Sequence, residues 1–186
     1  MRARWPVTVA ALAYLVAVPL ACSGTDPDEP GTVLGTYSVT GTLKTNTCGA
    51  GQAPNPWDFS VKLSTDPGTL YWIQGSLPVA GTLSTANVAA LTSTSTQASY
   101  LGDSSVPLCA IDRTDTLSAT LVPDPTLAHE YSAFSGTLTY AFTQDSASTD
   151  CSSALTENGG GYAALPCSVS YTLSATRTAL ANQYGK

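Results

Sequence analysis

The sequence predicts an all-β fold: an antiparallel up-and-down barrel of eight or nine strands, with a two-sheet β-sandwich as the alternative. Apolar residues alternate with serine and threonine along several segments, which is typical of strands with one buried and one solvated face. Most of the predicted connections are short, and glycine recurs at inward-facing strand positions, which indicates a strongly curved sheet. No segment after the N-terminal apolar run shows a sustained helical period.

The 186-residue chain divides by composition into four parts. After the N-terminal segments are removed, about 150 residues remain, enough for one domain with a hydrophobic core. The predicted parts are a signal peptide (1–21), a lipidated cysteine with a flexible linker (22–32), a single β-domain (33–178) and a C-terminal tail (179–186).

The first segment has the arrangement of an export signal. Arg2 and Arg4 precede an uncharged apolar run that ends at Ala21, and Cys22 follows directly. This arrangement resembles the type II signal peptide of bacterial lipoproteins. The resemblance implies that Cys22 carries lipid and anchors the protein in the cell envelope, at the outer membrane, facing the periplasm or the cell surface. Type I cleavage nearby and an uncleaved membrane anchor are the alternatives.

The stretch after Cys22 is rich in proline, glycine and acidic residues. It has too few apolar side chains to form a core, so we expect an extended tether as far as Thr32.

The cysteine count agrees with export. Setting Cys22 aside leaves an even set, which is typical of a disulfide framework in an oxidising compartment. The four remaining cysteines are Cys48, Cys109, Cys151 and Cys167. Three pairings are possible, and we favour Cys48–Cys109 with Cys151–Cys167, because the second pair closes a short glycine-rich loop. His129 is the only histidine and no Cys-x-x-Cys motif is present, so no metal or cofactor is predicted.

Four segments alternate regularly and are predicted as strands. They are Tyr37–Leu43, Trp57–Leu63, Phe134–Phe142 and Cys167–Ala175. Five less regular strands are predicted at Leu70–Gln74, Val79–Ser84, Val88–Thr92, Gln97–Leu101 and Thr116–Val122. The Asp66-Pro67-Gly68 sequence predicts a turn, and Thr126–Tyr131 has room for one helical turn.

The alternation also predicts which residues face inward. They are Tyr37, Val39, Trp57, Phe59, Phe134, Leu138, Tyr140, Val169, Tyr171 and Leu173. Gly41, Gly81 and Gly136 share an apolar-x-Gly-Thr-Leu pattern and take inward positions, where a missing side chain lets a sheet bend. The opening Gly35-Thr36-Tyr37 is loosely similar to the Gly-x-Trp start of lipocalin-like barrels, which implies a barrel.

Charge limits the partners. Without Arg2 and Arg4 the chain has 5 basic and 13 acidic residues. Binding to nucleic acid is therefore not expected, and contact with the membrane is predicted through the lipid on Cys22. The partner classes left open are a small molecule, a glycan or a protein.

Three aromatic residues, Trp57, Tyr71 and Trp72, are the candidate ligand contacts. Because neighbouring strand residues face opposite ways, Tyr71 and Trp72 cannot both point inward. The alternative, which we favour, is that both tryptophans fill the core and Tyr71 covers the outer surface. The expected function is a non-enzymatic binding, inhibitory or envelope-structural role, with no catalytic residue predicted.

The rival class is a hydrolase acting on polysaccharide or peptide through loop carboxylates. The available carboxylates are Asp112, Asp115, Asp145 and Asp150, but no spacing selects a pair. His129 lies beside Glu130 in a predicted loop, and no Gly-x-Ser-x-Gly motif accompanies it.

Overall fold

The alternating segments form eight strands in the computed structural model, which describes residues 29–99, 108–146, 148 and 150–180. They are β1 (Thr32–Asn46), β2 (Trp57–Asp66), β3 (Thr69–Ile73), β4 (Val79–Leu83), β5 (Val88–Ser99), β6 (Cys109–Pro123), β7 (Tyr131–Gln144) and β8 (Cys167–Ala179). Short 3-10 turns lie at Ala50–Gln52, Ser152–Ala154 and Thr156–Asn158. Within these residues no helix is long and apolar enough to span a membrane.

Each strand pairs antiparallel with its neighbour in the chain, and β1 also pairs with β8, so the sheet closes into a barrel. This confirms the predicted eight-stranded up-and-down barrel and excludes the sandwich. The predicted strands Val88–Thr92 and Gln97–Leu101 are one strand, β5, because hydroxyl-rich residues between them continue the pairing with β6. Leu101 lies outside the described residues. The predicted helical turn at Thr126–Tyr131 is a loop followed by the start of β7.

The predicted segment 1–21, Cys22 and most of the linker lie outside the described residues, as do residues 181–186 of the tail. The described end of the linker contacts the barrel. Lys62 forms an ion pair with Glu29, and the Ser64 hydroxyl donates a hydrogen bond to the Pro30 carbonyl at 2.5 Å. These contacts hold the chain against β2 just before β1 begins.

The inward glycines permit close approach between strands. A Cβ at Gly136 would lie 2.3 Å from the Ser118 carbonyl oxygen, and one at Gly81 would lie 2.3 Å from Leu91 Cγ. Gly35, where the register between β1 and β2 shifts, has a φ of 133°, and a Cβ there would meet the Ala179 oxygen at 2.4 Å. Glycine is thus needed where the strands bend and where the barrel closes.

The core is formed by the inward faces of the strands. Of the ten residues predicted to face inward, seven are buried, and Trp57, Phe59 and Tyr140 pack partly buried against them. The buried seven are Tyr37, Val39, Phe134, Leu138, Val169, Tyr171 and Leu173. The predicted register is therefore confirmed along β1, β2, β7 and β8.

Strand direction gives the barrel two distinct ends. We call one the disulfide end, where β1, β3, β5 and β7 finish and where the loops 47–56 and 145–166 lie. The other is the terminal end, where β1 begins and β8 finishes.

The predicted disulfide pairing is wrong, although all four cysteines are bonded as expected. Cys48 bonds Cys167, and Cys109 bonds Cys151. The reason is barrel closure: the end of β1 lies beside the start of β8, and the start of β6 lies beside the end of β7. Each bond therefore joins the start of one strand to the loop that follows its neighbouring strand, whereas β1 and β6 share no edge.

The terminal end is held together by polar contacts between strand residues and the connection from β6 to β7. Arg177 on β8 pairs with Asp124 at 2.5 Å and also with Glu130. The Tyr37 hydroxyl donates to the Tyr131 carbonyl oxygen at 2.8 Å. These bonds tie the β6–β7 loop to β8 and the first residue of β7 to β1.

Candidate functional site

The inward face of the barrel changes character along β5 and β6. In the middle of the barrel Leu91 faces Leu117, and both are buried. Toward the disulfide end the next inward pairs are Ser93 with Asp115, Ser95 with Arg113, and Gln97 with Ile111. Polar and charged side chains thus replace the apolar core in the half of the barrel nearest the disulfide end, where water can reach them. We call this half the upper part of the barrel and the other half the lower part.

A cavity of about 480 Å³ opens at this end. Its lining residues come from five strands and two loops: Pro54, Trp57, Ser95, Thr96, Gln97, Ile111, Arg113, Tyr140, Phe142, Tyr162 and Tyr171. A smaller hollow of about 60 Å³ continues below it beside Asp115, and Tyr140 lines both. The volume of the upper cavity lies within the range of small-molecule sites.

Aromatic rings form much of the cavity wall. The ring centroid of Trp57 lies 5.2 Å from that of Tyr171 and 5.8 Å from that of Tyr140. Phe59 packs behind Trp57, with ring centroids 4.3 Å apart. Because these rings contact one another, their positions are fixed without a ligand, and the faces they leave uncovered are preformed surfaces for binding.

An ion pair lies against these rings. Arg113 Nε and Nη2 donate to the two carboxylate oxygens of Asp115, each at 2.7 Å. The guanidinium carbon of Arg113 lies 4.3 Å from the ring centroid of Tyr140. The side chains of Arg113 and Asp115 are 44% and 31% exposed, so both reach the water of the cavity.

The environment keeps the groups in defined protonation states. Burial opposes the charge of Arg113, but the hydrogen bonds and charge of Asp115 outweigh it and raise the pKa of the guanidinium. Burial raises the pKa of Tyr140 well above its ordinary value, although the charge of Arg113 lowers it in part. Burial also raises the pKa of the Tyr171 and Tyr162 hydroxyls. At neutral pH the Arg113 guanidinium therefore stays charged, and the hydroxyls of Tyr140, Tyr162 and Tyr171 stay un-ionised.

The β7–β8 loop holds Tyr162 at the cavity rim. The Tyr162 amide donates to the Ala154 carbonyl at 3.0 Å, and its own carbonyl accepts from the Thr156 amide at 2.8 Å. Its ring lies 5.3 Å from that of Phe142. The Cys109–Cys151 bond ties the start of this loop to β6, the strand that carries Arg113. The rim is thus covalently attached to the wall that it faces.

The three predicted ligand contacts have different fates. Trp57 lines the cavity. Trp72 is 9% exposed and belongs to the core below it, although it borders the smaller hollow. Tyr71 lies on the outer face of β3, where its hydroxyl donates to Asp66 at 3.1 Å. Trp72 and Tyr71 occupy the places expected in the favoured alternative, whereas Trp57 is only partly buried.

Sequence reasoning missed most of the polar lining, in particular Gln97, Arg113 and Asp115. The signal was present in the spacing, because Arg113 and Asp115 continue the inward series that runs through Leu117, Ala119 and Leu121 on β6. Asp115, expected in a loop, lies within β6.

The other carboxylates proposed for hydrolysis lie elsewhere. Asp112 is on the opposite face of β6 from Asp115 and accepts a hydrogen bond from the Thr96 hydroxyl at 2.5 Å. Asp145 and Asp150 lie in the β7–β8 loop, where Asp150 accepts from the Ser152 amide at 2.8 Å. His129 lies at the terminal end, and within the described part of the chain no three His, Cys, Asp or Glu side chains gather as a metal site.

A further hollow, of about 510 Å³, lies at the terminal end. It is lined by residues of the turns and of the neighbouring strand ends, Leu34 and Leu83 among them, together with His129 and Tyr131. It lacks the ion pair and the aromatic cluster of the disulfide end, so we take the upper cavity as the candidate site.

Comparison with protein-family models, curated proteins and solved structures finds no match to this chain.

Proposed function

We propose that this protein is a non-enzymatic binding protein that takes a small molecule into the cavity at the disulfide end. The observation that carries the proposal is the inward-facing Arg113–Asp115 pair set against Tyr140. A barrel of eight strands can fill its interior with apolar side chains, as this one does in its lower part. Arg113 and Asp115 occupy inward positions that apolar side chains could fill, and placing charged groups there costs stability. Their presence is explained if this part of the interior is open and receives a polar ligand.

The preformed geometry supports the same proposal. Trp57, Tyr140 and Tyr171 hold one another in place, and the ion pair fixes the position of Arg113. A ligand would therefore meet an ordered site and would lose little affinity to rearrangement of the protein. The two disulfides at this end also restrict movement of the loops around the cavity.

Binding can be tested by ligand-observed saturation-transfer NMR on the purified protein. The probes are N-acetylglucosamine and cellobiose as neutral sugars, indole acetate as an aromatic acid, laurate as a fatty acid, and choline as a cation. We expect at least one class to bind. Tyr162→Ala, which truncates the rim, should weaken that binding about tenfold through loss of ring contact.

Tyr71→Ala is the matched control, because it removes the same ring from the outer face of β3. It should change affinity by less than about twofold. The proposal is wrong if no probe binds, or if Tyr162→Ala and Tyr71→Ala affect binding equally.

We also propose that the protein is a lipoprotein of the bacterial cell envelope, anchored through Cys22. Two disulfides, the N-terminal sequence pattern and the absence of a basic patch in the sequence support an exported, lipid-held protein. Cys22→Ser is expected to abolish metabolic labelling with a fatty acid and to release the protein from the membrane fraction, while Ser23→Ala leaves both unchanged. Labelling that persists in Cys22→Ser contradicts the proposal.

A further inference from the structure

We infer that the ligand of the cavity is a neutral carbohydrate, a mono- or disaccharide whose hydroxyls are read by the Arg113–Asp115 pair. This inference rests on the proposed binding function and narrows it to one chemical class.

The two charged side chains of the site cancel each other. Asp115 accepts two hydrogen bonds from Arg113 and neutralises it, so an anionic ligand would meet the carboxylate together with the guanidinium. A cationic ligand would be attracted to aromatic faces, but the guanidinium of Arg113 already lies on the face of Tyr140. The site therefore favours a ligand without net charge.

The second step is the depth of the cavity. Below the aromatic rings the inward residues Leu117, Leu138 and Phe134 are 4%, 5% and 2% exposed. The hollow between the rings and this core measures only about 60 Å³. A long acyl chain would have to displace the packed core, so the cavity fits a compact molecule better than a fatty acid.

The third step is the combination of ring faces and hydrogen-bonding groups. Sugars have apolar faces made of C–H groups, which pack on aromatic rings, and hydroxyls around their edge. Gln97, Tyr162 and Tyr171 line the cavity, and their amide and hydroxyl groups can donate and accept hydrogen bonds. Arg113 has further N–H groups beyond the two that donate to Asp115. The pair therefore offers hydrogen-bond donors on Arg113 next to the acceptor oxygens of Asp115, an arrangement that can bind two adjacent hydroxyls of a sugar.

The test uses the probes named above, with affinities from NMR titration. We expect N-acetylglucosamine or cellobiose to bind and to compete for the site that Tyr162→Ala weakens. Indole acetate, laurate and choline should bind at least about tenfold more weakly. If one of these three binds at the rim and neither sugar does, the carbohydrate inference is wrong while the binding function stands. If no probe binds, both are wrong.

The role of the ion pair has its own matched variants. Asp115→Asn removes the carboxylate that positions Arg113 and accepts from the sugar, and we expect sugar affinity to fall about tenfold, equivalent to one hydrogen bond. Asp66→Asn makes the same change at the end of β2, at the terminal end of the barrel and outside the cavity lining, and should have no effect. Melting curves confirm that both variants are folded. A folded Asp115→Asn variant that binds sugar as well as the wild type overturns the inference.

Discussion

Cys48 and Cys167 lie 119 residues apart in the sequence, yet their Cα atoms are 5.0 Å apart and their sulfurs are bonded. The bond lies just beyond the end of β1 and at the start of β8, the two strands whose pairing closes the barrel. It therefore adds a covalent link, at the disulfide end, to the pairing of the first strand with the last.

The first prediction follows from this bond. Replacing Cys48 and Cys167 with serine should lower the free energy of unfolding by about 5 kcal/mol, because it frees a loop of more than a hundred residues in the unfolded chain. Replacing Cys109 and Cys151, which are 42 residues apart, should cost about 4 kcal/mol. Urea denaturation measures both. Peptide mapping without reduction should show the same two pairs, and a Cys48–Cys109 peptide would contradict the structure.

The sequence predicts the inward faces and the type of barrel. Alternation within Tyr37–Leu43 is a local property, so each residue can be assigned to a face without knowing its neighbours. Closure of an up-and-down barrel also requires the first strand to meet the last, which places Cys48 beside Cys167. The favoured pairing rests on loop length instead, and loop length does not say which strands are neighbours.

A misplaced strand boundary explains what sequence analysis missed at the site. Trp57 stands out because large aromatic residues are rare. Asp115 falls in a predicted loop, because the predicted strand begins only at Thr116, and Arg113 lies before it as well. In the structure β6 begins at Cys109, and the register with Ser93 and Ser95 places both side chains inside the barrel.

The second prediction tests the packed lower barrel. Phe134 is 2% exposed and its ring lies 5.5 Å from that of Tyr37 and 5.7 Å from that of Trp72. Phe134→Ala should lower the free energy of unfolding by about 3–5 kcal/mol, since it leaves a cavity among these rings. Tyr71→Ala, on the outer face, should cost less than about 1 kcal/mol. Equal losses in chemical denaturation would contradict the assigned faces.

The third prediction concerns strand spacing at Gly136. An added methyl group there would lie 2.3 Å from the Ser118 carbonyl oxygen and 2.7 Å from Ala119 Cα, both of them backbone atoms on β6. Gly136→Ala should therefore force β6 and β7 apart and destabilise the barrel by about 1–3 kcal/mol. Gly75→Ala adds the same methyl group where nothing lies within 4 Å, and its melting temperature should match the wild type. A folded Gly136→Ala variant of wild-type stability would refute the close packing.

The fourth prediction concerns alkaline pH. Burial raises the pKa of Tyr37 to about 12, while in the unfolded chain it is about 10. Between these values the folded protein keeps the proton that the unfolded chain loses, so stability should fall as pH rises from about 10 to 12. In Tyr37→Phe this contribution disappears, and its stability curve should be flatter over that range. Denaturation at a series of pH values measures it, and parallel curves for the two proteins would contradict the burial of the hydroxyl.

The fifth prediction concerns acid. The Asp124 carboxylate accepts hydrogen bonds from the Thr126 hydroxyl at 2.7 Å and from its amide at 2.8 Å, and it pairs with Arg177 at 2.5 Å. The Thr126 bonds, followed by the charge of Arg177, hold the pKa of Asp124 below its ordinary value. A carboxyl with a lowered pKa stabilises the fold above its unfolded value of about 4, and this contribution is lost as pH falls through the folded pKa.

Asp124→Asn should therefore melt below the wild type at neutral pH, and the difference should shrink as the pH falls from about 5 toward 2. Asp112→Asn makes the same change of charge on the outer face of β6, where the partner is the Thr96 hydroxyl, and it controls for net charge. A gap between Asp124→Asn and the wild type that stays constant over this range would mean that the carboxylate charge does not hold the β6–β7 loop.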